Sequence, residues 1–162
     1  MIKLVLLTAL FSQILFAQQN NLALDIQPVS ESGVNWETTL TLDAQSGMEN
    51  GLLVELPTGI KMVPLTARIN ADEMLLQNTS EIPSKDNVVS WELSEDGIIL
   101  YFQDGQLSSG DQLVLKTMTS QIKKRIEDNQ QINIRTIVST NPDVQFSEDI
   151  KSSGNIVLNI EN

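Results

Sequence analysis

Val88-Val89-Ser90-Trp91-Glu92-Leu93-Ser94-Glu95-Asp96-Gly97-Ile98-Ile99-Leu100-Tyr101-Phe102 is the stretch on which the fold class turns. Two short runs rich in β-branched and aromatic residues flank Ser94 to Gly97, and Asp-Gly between such runs is a strong hairpin signal. Val89, Trp91 and Leu93 share one face of the first run. In the second, Ile98, Leu100 and Phe102 form one face and Ile99 and Tyr101 the other, so both faces are apolar. Two readings of that run stay open. It is a central strand covered on both sides, or Ile99 and Tyr101 belong to a contact patch.

The same period of two recurs outward in both directions. Towards the N-terminus, Leu22, Leu24 and Ile26 alternate with Ala23, Asp25 and Gln27, and Val34, Trp36, Thr38, Leu40 and Leu42 alternate with polar residues. Leu52 to Leu56 is a further run, stopped by Pro57-Thr58-Gly59, and Ile60 to Val63 is another, closed by Pro64. Towards the C-terminus come Leu113 to Met118, then Ile132, Ile134, Thr136 and Val138, then Ile156, Leu158 and Ile160. About eight or nine short strands separated by turns predict an all-β chain, an antiparallel sandwich with Greek-key connections. Two stretches are ambiguous. Asn70 to Lys85 reads as a long connection holding one short strand or a turn of helix. Ser120 to Gln131, with Ile122 and Ile126 four apart, reads either as one or two helical turns or as an extended hairpin loop.

Ahead of the first strand, Met1-Ile2-Lys3 is a cationic tip. A mostly apolar stretch from Leu4 to Phe16 follows, and then Ala17-Gln18-Gln19. This pattern predicts a signal peptide over 1–17 and a single domain over 18–162. The apolar stretch is short of the roughly 20 residues a membrane span needs. No Cys follows it, so it carries no lipoprotein attachment signal, and no later segment approaches spanning length. The expected location is outside the cytoplasm, in the periplasm or extracellular, including the cell surface. A Cys-free exported domain suits a bacterium better than a eukaryotic secretory pathway.

Composition narrows the function classes. The 162 residues hold no His and no Cys, which removes disulfides, thiol nucleophiles, His-dependent triads and the usual zinc ligands. Ten Lys and Arg stand against 21 Asp and Glu, a net charge of −11 that losing Lys3 would deepen by one. Such a balance disfavours nucleic acid and anionic lipid as partners.

Several pieces then fall in a familiar order: Thr39-Leu40-Thr41-Leu42, Gly47, Leu52-Leu53-Val54-Glu55-Leu56-Pro57-Thr58-Gly59-Ile60, Val88 to Leu93, Leu107-Ser108-Ser109-Gly110, and Ile134 to Ser139 followed by Asn141-Pro142-Asp143. Over roughly residues 34–160 the chain resembles the "conserved repeat" immunoglobulin-like β-sandwich domains of bacterial secreted and cell-surface proteins. It departs from them in reading Gln45-Ser46-Gly47 where they have an Asn-x-Gly turn. The resemblance implies a non-catalytic module of the envelope or secreted fraction that binds another protein or serves structurally.

Candidate chemistry is sparse. The acidic pairs Asp72-Glu73, Glu95-Asp96 and Glu148-Asp149 read as solvated surface, against the alternative of a carboxylate-dependent hydrolase, which needs two acids facing each other across a bond. Asp104, Asp111 and Asp143 sit in turns without the dense acidic loop calcium prefers. No cofactor or metal is expected. A carbohydrate-binding module is the other alternative, and it requires an exposed ring among Trp36, Trp91 and Tyr101. Lys123-Lys124-Arg125 is the only basic cluster. Together with Ile99 and Tyr101 it makes up the candidate contact patch.

Overall fold

The structure is a computed structural model that describes residues 22–28, 35–57, 59–121, 130–138 and 146–156. All regular structure among the described residues is β. In chain order the strands are β1 (Leu22–Pro28), β2 (Asn35–Asp43), β3 (Gly51–Glu55), β4 (Ile60–Ile69), β5 (Asp72–Asn78), β6 (Val88–Leu93), β7 (Gly97–Tyr101), β8 (Gln112–Gln121), β9 (Gln130–Ile137) and β10 (Phe146–Ile156). They form one sheet in the order β1-β2-β8-β4-β5-β6-β7-β3-β9-β10. The sheet curls, and the two ends of that order, β1 and β10, come near each other.

The expectation of purely antiparallel pairing fails at one place. β5 runs antiparallel to β4 over Asp72 to Met74, then parallel to β6 from Leu75 to Asn78. The ambiguous Asn70 to Lys85 stretch is therefore a strand that leaves one half of the sheet and joins the other. Asn70 holds a φ of 55° in the tight turn between β4 and β5, a conformation Asn tolerates better than most residues. The Ser120 to Gln131 stretch opens with the end of β8, and residues 122–129 lie outside the described residues, as do 1–21 and 157–162.

β4 also departs from its reading. Pro64 does not close the strand, because a register shift lies between Pro64 and Thr66 on β8. Leu65 is the extra residue, and the alternation of burial slips there. Such a bulge takes a residue out of the ladder and is one of the few places in a sheet that accommodates proline. β10 was not legible as a strand: its sequence is polar, contains Gly154, and shifts register twice against β9.

The larger core cluster draws on β2, β4 and β8 from one half of the sheet and on β3, β6, β7 and β9 from the other. Met48, Leu52, Met62, Ile98, Leu100 and Phe102 lie completely out of solvent in it. Three buried hydroxyls, Thr38, Thr117 and Thr119, satisfy one another. Thr38 Oγ1 and Thr119 Oγ1 are 2.7 Å apart, and Thr117 Oγ1 donates to the Thr38 carbonyl at 3.3 Å. A second, smaller cluster on the opposite face holds Leu53, Ile99, Tyr101 and Ile137 under Ile82 and Phe146.

One end of the β4–β8 pair is tied by Asp111. Its carboxylate accepts from the Asn70 side-chain amide at 2.8 Å and from the Ser108 N–H at 2.8 Å. These hydrogen bonds, Asn70 first, lower its pKa. A depressed pKa means stability that is present above the unfolded value near 3.9 and lost as pH falls through the folded value. Asp111→Ala should lower stability at pH 7 by about 1 kcal/mol, since the site is solvent-screened. It should also flatten the acid limb of the stability curve below about pH 4. Urea titrations at a series of pH values would check both.

Candidate functional site

The crossover of β5 leaves a seam. β5 pairs with β4 only at Ala67 to Ile69 and with β6 only at Val88 to Trp91. Among the described residues, Ile60 to Thr66 of β4 therefore pair on the β8 side alone, and Glu92 and Leu93 of β6 pair on the β7 side alone. Between these half-free edges lies a cleft of about 280 Å³, lined among others by Leu56, Ile60, Met62, Leu93, Glu95 and Asp96. Of its lining, Ile60 and Met62 are buried and Leu56 is half-buried, whereas Lys61, Glu95 and Asp96 are exposed.

Local chemistry fixes both walls. Ser94 shapes the β6–β7 hairpin tip: its hydroxyl accepts from the N–H groups of Asp96 at 3.2 Å and Gly97 at 3.1 Å, and its own N–H donates to the Gly97 carbonyl at 2.9 Å. The tip is joined to the end of β3 where the Leu56 N–H donates to the Asp96 carbonyl at 2.7 Å. Glu95 and Asp96 are thus held side by side on a rigid turn. Apolar side chains stand in solvent around the seam. Leu93 is 48% exposed, Leu65 45% and Val63 40%. Val89, Trp91 and Leu93 do share one face, but only Val89 and Trp91 are covered. Leu93 emerges because β5 has ended. A crossover of this kind leaves no mark on local sequence periodicity, so Leu93, Val63 and Leu65 were not legible as surface residues.

Compared with known proteins, the chain matches no family model, no curated protein and no solved structure.

The residues singled out in the sequence do not converge on the seam. Ile99 and Tyr101 are buried in the smaller cluster, with both faces of β7 covered. Tyr101 reaches Glu92 across the sheet, its hydroxyl donating to Glu92 Oε1. Beside it on the same face, Glu55 pairs with Arg135 at 2.8 Å. Lys123, Lys124 and Arg125 lie outside the described residues, as does the side chain of Trp36. Trp91 is 8% exposed. Asp72, Glu73 and Asp104 are exposed, whereas Asp111 is engaged in its turn. The side chains of Glu148 and Asp149 and all of Asp143 fall outside the description. Among the described residues, no three acidic side chains gather as a metal site would require, and no helix is long and apolar enough to cross a membrane.

Burial, and then the hydrogen bond to Glu92 and its charge, raise the Tyr101 pKa above the ordinary tyrosine range. A raised pKa gives stability that is complete below the unfolded value near 10 and lost above it. At pH 11.5 the native protein should therefore lose about 2 kcal/mol relative to pH 8 through this residue. The variant Tyr101→Phe should lack that alkaline loss, while costing about 1 kcal/mol at pH 8 through the missing hydrogen bond. Denaturant titrations of both proteins at the two pH values isolate the difference. Equal alkaline slopes would mean that Tyr101 ionises freely in the folded state.

Proposed function

We propose that this chain is a non-catalytic, exported bacterial module of the envelope or secreted fraction, built as an immunoglobulin-like β-sandwich and acting through contacts with another protein. The observation that carries this reading is the seam. Apolar side chains stand exposed beside strand segments that, among the described residues, pair on one side only, in a chain of strongly acidic composition. Surface of that kind marks interaction sites in proteins. The signal-peptide pattern at 1–17 supports export, and the resemblance to conserved-repeat domains supports the sandwich and the envelope setting.

Two alternatives draw less support. Carbohydrate recognition stacks sugars on exposed rings, and Trp91 and Tyr101 are buried. Carboxylate hydrolysis needs two acids across a bond, whereas Glu95 and Asp96 are neighbours on one turn. Crosslinked capture from solubilised envelope, with the chain from residue 18 onward as bait, tests the reading. Defined envelope proteins should be recovered. Capture abolished by glycosidase treatment would move the assignment to carbohydrate, and turnover of a glycoside would move it to catalysis.

A further inference from the structure

We infer that the seam between β4 and β6 accepts a short extended segment of a partner protein, apolar on one face and basic on the other, which adds to the sheet as a strand where β5 has left it. The inference rests on the binding-module reading and gives it a place and a chemistry.

Backbone geometry comes first. An unpaired strand edge presents a row of N–H and C=O groups, which a peptide in extended conformation satisfies by strand addition. The Ile60 N–H is already used by the Pro57 carbonyl, so β4 offers such an edge from Lys61, and the bulge at Leu65 with Pro64 before it limits the usable ladder to Lys61 to Val63. The opposite wall offers Glu92 and Leu93 at the free end of β6. An inserted strand would lie past the end of β5 at Asn78, beyond the Thr79 N–H that donates to the Trp91 carbonyl at 3.0 Å. Pro64 also works as an edge guard: it restricts the docking to a short segment and discourages open-ended edge-to-edge stacking of copies.

Side-chain chemistry then sets what the segment carries. Successive residues of a strand point to opposite faces. Those turned to the buried part of the lining, Leu56, Ile60 and Met62, should be apolar. Those turned to solvent meet the exposed Glu95 and Asp96, whose two charges outweigh that of Lys61 in the same lining. The net charge of −11 adds a field of the same sign, which speeds encounter with a cationic partner and slows it with an anionic one. A second copy of this chain, equally acidic, is disfavoured on the same ground.

The test uses the full mature chain and two short fluorescein-labelled peptides, one alternating valine with lysine and one alternating valine with glutamate. Fluorescence anisotropy should show the lysine peptide binding at least about tenfold tighter. The double substitution Glu95→Lys and Asp96→Lys should reverse that preference. Leu93→Asp should weaken the lysine peptide by about tenfold or more by placing a charge on the apolar wall. All three positions are exposed, so the variants should keep the parent Tm, and a melting curve on each verifies this. Equal binding of the two peptides, or binding indifferent to the three substitutions, overturns the inference. So does sedimentation showing that copies of the chain associate through the seam and exclude the peptide. Envelope capture that survives all the seam variants would remove the seam as the docking site while leaving the binding-module reading in place, which separates the two failures.

Discussion

Gly97→Ala should destabilise the protein by more than about 4 kcal/mol. Gly97 lies opposite Glu55 where β7 pairs with β3, and a Cβ built on it would sit 1.9 Å from the Val54 carbonyl oxygen and 2.9 Å from the Val54 carbonyl carbon. The obstacle is backbone, so no rotamer change relieves it, and a φ of +156° adds strain for any L side chain. Relief requires β3 and β7 to separate. Those two strands are nearly solid with buried residues, from Gly51 to Val54 and from Gly97 to Tyr101. Gly51 meets the same restriction at the other end of the ladder, where a Cβ would lie 2.4 Å from the Leu100 carbonyl oxygen. Steric conflicts of this kind exceed about 4 kcal/mol, against a total stability of about 5–15 kcal/mol for a domain. Gly105→Ala is the control. Its added Cβ meets nothing within 4 Å, so only backbone strain remains, about 1–2 kcal/mol. Far-ultraviolet circular dichroism and urea midpoints of the two variants decide the matter. A Gly97→Ala midpoint close to the control would mean that β3 and β7 stand further apart than described.

That glycine shows how sequence reading can succeed for an incomplete reason. Asp96-Gly97 announces a hairpin, and a hairpin is there. Yet the turn is shaped by the Ser94 hydroxyl, and Gly97 already belongs to β7, where closeness to β3 excludes a side chain. Most strands were legible because alternation is a local property: the faces read for Leu40 and Leu42, for Ile98 and Leu100, and for Ile132 and Ile134 all lead into one core. Non-local features were not. The parallel step from β5 to β6, the bulge that lets β4 continue past Pro64, and the polar strand β10 depend on which strands become neighbours. The candidate site suffered most, because it is made by a missing neighbour. Leu93 belongs to the core face by pattern and to the surface by topology. For Ile99 and Tyr101 the pattern leaves two readings, a strand covered on both sides or a contact patch, and Ile82 and Phe146 cover that face.

Phe102→Ala should cost about 3–5 kcal/mol. Phe102 follows directly on β7, is fully buried, and belongs to the cluster shared by both halves of the curled sheet. Truncation removes the transfer free energy of the ring and leaves a void that neighbours in a close-packed interior fill only in part. Leu93→Ala, on the same hairpin, should cost no more than about 0.5 kcal/mol, because a half-exposed side chain loses little on truncation. The contrast matters for function as well as stability. If Leu93 were a core residue, a variant there would weaken partner binding merely by loosening the fold. If it is a wall of the seam, binding and stability come apart: Leu93→Ala weakens the lysine-containing peptide at unchanged urea midpoint, while Phe102→Ala shifts the midpoint. At urea concentrations where both proteins remain folded, Phe102→Ala should still bind that peptide. A Leu93→Ala midpoint shifted as far as that of Phe102→Ala would place Leu93 in the core and close the seam.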